Sequence, residues 1–449
     1  MRSLMKSTRS RCPVCLESVP ADVVRMDGMV VMEKCCPQHG SSQVVLAKDP
    51  RFYHLSHGST SDGCCGGGGC GGDATTLNAG ADPFDTLSTC IALIEIVDSC
   101  NLTCPTCYAA SPFGIGTDLK YTPFDDVVRR IEKVTSRKGY LDILQLSGGE
   151  PTLHPEFLRV LAWALDHPKI GYVLVNTNAV RLATDEPFRK ELAALRERYR
   201  VAKKPSFELY VQFDGVQEAG QRELRGADLR ATRQRAIDAC GALGVPTTLA
   251  MVVNDQTLPH VGETLRFGLA RRHVRGITFQ PVFTSGRIES GASVAPISVG
   301  DVILALSEQA SDTLGPEDFT PLPCGDPNCH TISYMLRSPF GTQPLSRLIN
   351  IDDVQGFLKN RVDYRLEDLA QCGCETEPLG DIIKSFEVSP ESPFRIFIKP
   401  FMDAHTFDQD RIDRCCTHVI RADGSLDSFC RHYLNAGRSA AVPLTLGAT

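Results

Sequence analysis

Three cysteines form the tightest chemical pattern in this 449-residue chain, which contains nineteen cysteines in all. Cys100, Cys104 and Cys107 follow the spacing C-x3-C-x2-C directly after an apolar segment at 91–97. Thiolates at this spacing on one loop can hold three irons of a cubane iron–sulfur cluster, which leaves the fourth iron open to a small molecule. By spacing alone, the pattern also suits a structural zinc loop or a ferredoxin with a distant fourth cysteine.

A glycine-rich turn follows the next apolar segment, with the sequence Ser147-Gly148-Gly149-Glu150-Pro151-Thr152. Two glycines at the end of a strand let a ligand approach the backbone closely. The Glu150 carboxylate can then accept a hydrogen bond from an ammonium group. The alternative is an ordinary β–α turn, but the position one β/α unit after the cysteine triplet favours a binding role.

Six apolar segments rich in β-branched residues alternate with amphipathic helical stretches, at 91–97, 141–147, 172–178, 207–214, 247–253 and 276–282. This alternation predicts a parallel α/β sheet, either open and doubly wound or closed into a partial barrel. Active sites of such barrels lie at the C-terminal ends of the strands, where both motifs fall. Later strand ends add five polar candidates that equally suit ordinary loop caps: Asn176, Asn178, Gln212, Asp214 and Gln280.

The composition is that of a globular protein, with 42% hydrophobic and 22% charged residues. A net charge of -7 and an aromatic content of 7% argue against a nucleic-acid partner. No apolar run approaches the roughly 20 residues that span a bilayer, and MRSLMKSTRSRC lacks the apolar part of a signal peptide. We therefore expect a soluble, cytoplasmic protein. Disulfides are rare in that compartment, so clustered cysteines indicate metal ligation.

The remaining cysteines divide the chain into four predicted parts. Residues 1–60 are expected to form a metal-binding unit like rubredoxin or a zinc ribbon, 61–87 a Gly/Cys-rich linker, 88–290 the α/β core and 291–449 a cysteine-rich C-terminal region. Spacing does not distinguish mononuclear Fe from Zn. The candidate ligands are Cys12, Cys15, Cys35 or Cys36, with His39; Cys64 or Cys65, and Cys70; and Cys324, Cys329, Cys372, Cys374, Cys415 or Cys416, and Cys430.

With each Cys-Cys doublet counted once, these cysteines offer eleven ligand positions. Two auxiliary clusters and one tetrahedral site would need about twelve ligands. His39 or the second thiol of a doublet could supply the missing one.

The cysteine triplet and the GGEP turn together resemble the radical S-adenosylmethionine (SAM) superfamily over about 88–290. The resemblance implies a partial (β/α)6 barrel in which the three cysteines bind a [4Fe-4S] cluster and SAM chelates its open iron. It also implies that Gly148, Gly149 and Glu150, with Pro151, contact the methionine part of SAM and that Tyr108 lies beside the adenine. The five polar strand ends would contact ribose, carboxylate or substrate.

The same resemblance implies the chemistry and an electron donor. The reduced cluster would cleave SAM to methionine and a 5'-deoxyadenosyl radical, which abstracts hydrogen from an unactivated C–H. A ferredoxin or a flavodoxin is the usual electron donor in the superfamily.

Four segments, at 12–40, 100–112, 321–336 and 415–433, resemble the archaeal tetraether lipid synthase branch and its bacterial relatives. That branch joins lipid chains through a new C–C bond and carries a rubredoxin-like site and auxiliary [4Fe-4S] clusters. The glycine-rich segment 63–70 departs from the spacing of the branch. A lipid substrate would also require an apolar groove and peripheral contact with a membrane. The stretch at 129–138 is basic, but it favours the solvated face of a barrel helix.

Two other functions are compatible with the sequence: a radical SAM maturase of a peptide or small molecule with auxiliary clusters, and a non-catalytic iron–sulfur protein. Peptide maturases usually begin with a peptide-recognition winged helix, whereas 1–60 has the pattern of a metal ribbon. The intact GGEP turn argues against the non-catalytic alternative.

Overall fold

The computed structural model describes residues 2–55, 84, 87–202, 207–288, 296–322, 325–338, 341–348 and 392–434. Six of the cysteines lie outside these ranges, and the metal-binding predictions made for them stay predictions. They are Cys64, Cys65, Cys70, Cys324, Cys372 and Cys374.

The N-terminal unit is an antiparallel four-stranded sheet whose strands pair in chain order. The residues of the β2–β3 turn, Asp27 and Gly28, have φ angles of 50° and 82°. Positive φ at both turn positions matches the twist of a two-residue hairpin, which is why an Asp-Gly pair closes it. The strands are β1 (Arg2–Arg11), β2 (Ser18–Met26), β3 (Met29–Cys36) and β4 (Gly40–Ala47).

The central strands form a parallel sheet in chain order, β5 to β10, as the alternation of segments predicts. The observed bounds differ from the sequence-based ones by no more than two residues. The strands are β5 (Ile91–Val97), β6 (Leu141–Gly148), β7 (Ile170–Thr177), β8 (Phe207–Gln212), β9 (Thr247–Val253) and β10 (Val274–Pro281).

Helices cover this sheet because each presents an apolar face at helical spacing. In α1, Val127, Ile131 and Val134 recur every three or four residues and are fully buried. The helices of this region are α1 (Phe124–Lys138), α2 (Phe157–Asp166), α3 (Val180–Thr184), α4 (Glu186–Val201), α5 (Gln221–Arg225), α6 (Arg230–Ala242) and α7 (Val261–Leu269). Among the described residues, we find no helix with the length and apolar character to span a bilayer.

Strands from the C-terminal region extend both edges of the parallel sheet, which the sequence did not predict. One edge gains β14 (Pro393–Ile398), parallel to β10, and then β12 (Thr331–Ser338), which pairs with β11 (Thr320–Pro321) and β13 (Gly341–Pro344). The other edge gains β15 (Thr417–Ile420), parallel to β5, and β16 (Leu426–Ser428). The result is a mixed twelve-stranded sheet in the form of a partial barrel. The remaining α-helices of the described residues are α8 (Val299–Gln309), α9 (Gln409–Ile412) and α10 (Phe429–Tyr433).

The N-terminal sheet docks on the C-terminal segment through buried polar contacts. Lys34 is 5% exposed, and its ammonium donates to the carbonyl oxygens of Ala404 at 2.7 Å and His405 at 2.6 Å. The Lys6 ammonium lies 2.7 Å from the carboxylate of Asp408. The two parts are therefore joined by specific bonds to buried groups, which are costly to leave unpaired.

Candidate active site and metal centres

A cavity of about 240 Å³ occupies the interior of the barrel. Side chains from the parallel strands, the cysteine loop and the C-terminal strands all line it. Ten of the thirteen site residues predicted in the core segment meet here, namely Cys100, Cys104, Cys107, Tyr108, Gly148, Gly149, Asn176, Asn178, Gln212 and Gln280. Glu150, Pro151 and Asp214 do not line the cavity.

The cysteine loop is held by backbone bonds at both ends. The amide of Cys100 donates to Pro112 at 2.9 Å, and the amide of Cys107 donates to Cys104 at 3.2 Å. Burial, with the nearby charge of Glu150, raises the pKa of the Cys100 thiol to about 12. A thiol this reluctant to ionise becomes a thiolate when a metal supplies the positive charge. Three thiols around one cavity therefore fit the donor set of a cluster with an open iron.

The two glycines of the GGEP turn bring that turn against the start of the cysteine loop. Gly148 has a φ of 136°, and a Cβ there would overlap the carbonyl of Val97. A Cβ on Gly149 would overlap the carbonyl of Ser99. The amide of Gly149 instead donates to Val97 at 2.7 Å. Besides leaving the space for a ligand that is predicted from the sequence, the two glycines allow the GGEP turn and the cysteine loop to meet backbone to backbone.

Glu150 ties the ends of two strands together. Its fully buried carboxylate accepts hydrogen bonds from the amide and hydroxyl of Thr152, the hydroxyl of Thr177 and the amide of Asn178, at 2.6–3.1 Å. The side-chain amide of Asn178 in turn donates to Cys100 Sγ at 3.6 Å. Burial raises the pKa of Glu150, and these hydrogen bonds counteract it. Glu150 therefore holds the wall of the cavity in place without lining the cavity itself.

Asp214 was expected at the mouth of the barrel, but its carboxylate lies behind the wall in a buried ion pair. Arg225 donates to it through Nε at 2.6 Å and Nη2 at 2.8 Å, and the Val252 amide donates at 3.1 Å. Burial opposes ionisation, but Arg225 holds the pKa of Asp214 below its usual range. Arg225 itself lines the cavity; burial lowers its pKa, but Asp214 and, to a smaller extent, Cys104 raise it above its usual value. The group facing the cavity is thus the cation that Asp214 orients.

Sequence reasoning missed Arg225 and its neighbour Arg233, which also lines the cavity. Both belong to short polar helices, α5 and α6, where an arginine is ordinarily a surface residue. The available signal for Arg225 was its partner Asp214, just after β8, because a buried carboxylate requires a cation.

A charged layer inside the barrel was also missed. Glu208 of β8 is 2% exposed and pairs with Arg395 of β14 at 2.9 Å. The Tyr172 hydroxyl donates to the same carboxylate at 3.1 Å. Glu208, Arg395 and Tyr172 all line the cavity. Arg395 belongs to β14, a strand that was not predicted from the sequence. Its pairing with Glu208 could therefore not be predicted from the core segment alone.

Tyr108 forms part of an aromatic wall. Its ring lies 4.8 Å from Tyr433, 5.4 Å from Phe429 and 6.2 Å from Phe283, measured between ring centroids. Tyr108, Phe283 and Phe429 line the cavity. Such a surface suits the flat face of a heterocycle.

The N-terminal sheet holds a compact set of four metal-ligand side chains, Cys12, Cys15, Cys36 and His39, whose ligand atoms lie within 4.8 Å of one another. Nδ1 of His39 lies 3.5 Å from Cys36 Sγ and 3.7 Å from Cys12 Sγ. Three thiolates and one imidazole at this spacing fit a tetrahedral zinc site.

The cysteine doublet at 35 and 36 is divided between the two faces of β3. Cys36 is buried and belongs to the metal-ligand set, whereas Cys35 is exposed and does not. Successive residues of a strand point to opposite faces, so only one thiol of the doublet can reach the site. The prediction of Cys35 as a ligand is thereby corrected.

A second group of thiols lies beside the barrel in the C-terminal region. Cys430 Sγ accepts the amide of Met402 at 3.3 Å, and Cys416 lines the cavity. Burial raises the pKa of the Cys415 thiol to about 11 and that of Cys430 to about 12, and Cys329 contributes to both. Cys416 is buried and the other three thiols are partly buried, and together they fit a thiolate metal site next to the cavity.

Comparisons with known proteins agree with this arrangement. Residues 4–48 match the HMPTM N-terminal zinc ribbon domain, and residues 94–268 match the radical SAM superfamily. The chain is similar to 7,8-dihydro-6-hydroxymethylpterin dimethyltransferase of Methanocaldococcus jannaschii, with 26% identity over 505 residues, covering 95% of this chain and 93% of that protein.

Other relatives are similar over shorter stretches. Mycofactocin maturase MftC of Mycobacterium ulcerans is 27% identical and covers 43% of this chain, and the chain spans 47% of that protein. Streptococcus suis SuiB, solved with its precursor peptide SuiA, has a TM-score of 0.39 at 14% identity, with 70% of each chain covered.

The cofactors predicted from the cysteine triplet, a [4Fe-4S] cluster with SAM, are those of the matched superfamily, and the ribbon and the C-terminal cysteines suggest further metal sites. None of the relatives described above is a tetraether lipid synthase. The relative that is similar over nearly the full length of the chain is a pterin dimethyltransferase. The chain thus contains a radical SAM domain at 94–268 and an N-terminal zinc ribbon at 4–48.

Proposed function

We propose that this protein cleaves SAM reductively and directs the resulting radical at an unactivated C–H of a substrate held in the barrel cavity. The observation that carries the proposal is that the cysteine triplet, Gly148 and Gly149 line one cavity together with a charged layer. When bound and reduced, the [4Fe-4S] cluster supplies the electron that splits SAM into methionine and a 5'-deoxyadenosyl radical. We propose a ferredoxin or flavodoxin as its electron donor.

The chain's own residues bind and orient the reactants. Cys100, Cys104 and Cys107 supply the thiolates, and the turn at Gly148 and Gly149 offers backbone groups beside them. Arg225, fixed by Asp214, presents a cation that suits the SAM carboxylate. The aromatic wall at Tyr108 suits the adenine. Enclosure in the barrel keeps water from the radical.

For the substrate, we infer a compact heterocycle of the pterin class. The 5'-deoxyadenosyl radical takes a hydrogen atom from it, and a methyl group from a second SAM molecule replaces that hydrogen, because the SAM that forms the radical keeps its methyl group on methionine. The proposed electron donor supplies one electron for each of the two SAM molecules, so that the second leaves as S-adenosylhomocysteine. The full-length similarity to a pterin dimethyltransferase supports this choice. So do the polar groups inside the barrel, because Glu208, Arg395 and the Gln280–Tyr210 pair, joined at 3.0 Å, suit the adjacent donors and acceptors of an aminopyrimidinone edge. Recognition of a heterocycle edge by fixed polar groups gives high selectivity.

The second candidate is C–C bond formation between lipid chains. Its support is the resemblance of four segments to the tetraether lipid synthase branch and the apolar side chains that line part of the cavity, among them Leu93, Phe283 and Phe401. A peptide maturase is the third, supported by the similarity to MftC over part of the chain.

The first experiment tests the chemistry alone. Anaerobically reconstituted protein with SAM and dithionite should release 5'-deoxyadenosine, measured by chromatography. Cys104→Ala should abolish this, whereas Cys240→Ala, which alters a buried core thiol outside the cavity, should retain it. Release of 5'-deoxyadenosine by Cys104→Ala at the unsubstituted rate would refute the proposal.

The second experiment separates the substrates. Cells grown without oxygen and producing either the unsubstituted protein or Cys100→Ala would be analysed by mass spectrometry for pterins, core lipids and peptides. Methylated pterins that depend on Cys100 support the first candidate. A lipid at the summed mass of two chains less two hydrogens supports the second, and a peptide that has lost hydrogen supports the third.

A further inference from the structure

Lys399 is a cation in the wall of the barrel cavity. Lys399 directly follows β14, and its amide donates to the carbonyl of Phe279 in β10 at 2.9 Å, which fixes its place at the end of both strands. Lys399 and Cys416 both line the cavity. Nζ lies 5.2 Å from the ring centroid of Phe401 and makes no hydrogen bond with any residue that the structure describes.

Arg411 is a second cation near the C-terminal thiols, because the amide of Cys415 donates to the carbonyl of Ile412, the residue after Arg411, at 3.0 Å. Its Nη2 donates to the carbonyl of Pro400 at 3.1 Å, next to Lys399, and its Nε is buried without a hydrogen-bond partner among the described residues. Burial lowers the pKa of Arg411, but the charges of Cys329, Asp326 and Cys430 together raise it above its usual value.

A cation that is largely withdrawn from water requires a nearby negative charge. The fold brings the thiols close to Lys399, because Cys430 Sγ accepts the amide of Met402, three residues after Lys399, at 3.3 Å. Burial lowers the pKa of Lys399, and thiols counteract it: Cys416, Cys415, Cys430 and Cys329. A neutral thiol offers no countercharge, whereas a thiolate bound to a metal does. Arg411 also has the carboxylate of Asp326 nearby, whereas the groups that counteract the burial of Lys399 are thiols, so Lys399 above all matches an anionic metal–thiolate group at this place.

An iron–sulfur cluster held by thiolates is such an anion, and it gains one more negative charge when it takes up an electron. A fixed cation stabilises the more negative state more strongly, and inside a protein this attraction is little screened. We propose that Lys399 and Arg411 raise the reduction potential of an iron–sulfur cluster bound by the C-terminal cysteines. The proposal rests on iron binding by those cysteines and not on SAM cleavage.

The test measures the reduction potential of the cluster at the C-terminal cysteines in a chain that lacks the cluster of the cysteine triplet. In a chain carrying Cys100→Ala, Cys104→Ala and Cys107→Ala, the midpoint potential would be followed by electron paramagnetic resonance during redox titration. Loss of the signal in Cys430→Ala assigns it to the C-terminal cysteines. Lys399→Met should lower the potential, Lys399→Gln should lower it similarly, and Lys399→Arg should restore it.

Lys34→Met is the matched control. It also removes a buried ammonium that contacts the segment after β14, but its hydrogen bonds go to Ser10, Arg11, Ala404 and His405 and not to the thiols. The midpoint potential of the cluster at the C-terminal cysteines should stay unchanged in Lys34→Met. Equal potentials in Lys399→Gln and Lys399→Arg would overturn the proposal, as would iron and sulfide contents unaffected by Cys415→Ala and Cys430→Ala. The proposed function fails in a different experiment: the unsubstituted protein, with all its cysteines, would then not cleave SAM.

Discussion

Replacing Asp214 by asparagine should both destabilise the protein and slow SAM cleavage. The carboxylate is 1% exposed and the Arg225 side chain 6%, and they meet through two hydrogen bonds at 2.6 and 2.8 Å. Asparagine keeps the shape and one acceptor but leaves the guanidinium buried without a countercharge. Breaking a buried pair in this way costs about 3–5 kcal/mol. Because asparagine still accepts one bond, we expect a loss of about 3 kcal/mol in the free energy of unfolding.

Urea unfolding of the metal-loaded protein would measure this loss through the fluorescence of Trp163, the only tryptophan of the chain, which packs against the core from α2. The matched control is Asp228→Asn. Asp228 also makes a two-pronged bond to an arginine, Arg230, but the two side chains are 27% and 36% exposed. Exposed pairs contribute about 0–1 kcal/mol, so this variant should stay close to the unsubstituted protein.

The Asp214→Asn variant should also release less 5'-deoxyadenosine, because Arg225 loses the group that aims it into the cavity. Asp214→Asn combined with Arg225→Met should recover part of the stability, since no buried charge is then left unpaired. If Asp214→Asn and Asp228→Asn differ by less than about 0.5 kcal/mol, the buried pair does not have the energetic role assigned to it here.

Three further changes have expected outcomes. Gly149→Ala forces a Cβ into the carbonyl of Ser99 and should abolish SAM cleavage while the ribbon still binds zinc, as a metal assay would show; full activity would contradict the close approach. Cys36→Ser should lose the ribbon metal, whereas Cys35→Ser should keep it, and equal metal contents would refute the assignment of ligands. Chelation of the ribbon metal should remove hydrogen-exchange protection from β2 and β3 but not from β6, because the metal contributes to the folding of the N-terminal sheet alone. Loss of protection in β6 as well would show that the N-terminal sheet and the barrel unfold together.

The sequence predicted the parts of the site that depend on local patterns. The six parallel strands follow from apolar segments of the right length, and the cysteine triplet and the GGEP turn lie at their ends. Hairpin β2–β3 follows from the Asp27-Gly28 turn. These features need only a few neighbouring residues, so periodicity and turn chemistry suffice to find them.

Contacts between distant segments could not be predicted in the same way. Arg395 reaches Glu208 across 187 residues of chain, through a strand whose pairing depends on the whole sheet. The sequence marked Asp214 as a strand-end residue but not Arg225 as its partner, since nothing in α5 distinguishes a buried arginine from an exposed one. Alternation along β3 could have separated Cys35 from Cys36, had the strand's register been known.

The docking of the ribbon on the C-terminal segment has a consequence for the order in which the protein folds during synthesis. The acceptor for Lys34 at Ala404 lies 370 residues further along the chain, and the strand that completes the edge at β5 lies later still, at 417–420. At about 5–20 residues per second, the ribosome needs some tens of seconds to travel that far. The ribbon can close its own four-stranded sheet and acquire metal early, but its docking surface and both outer edges of the barrel stay open until the last part of the chain emerges. During that interval the unpaired strand edges are the sites at which the nascent protein is open to wrong partners.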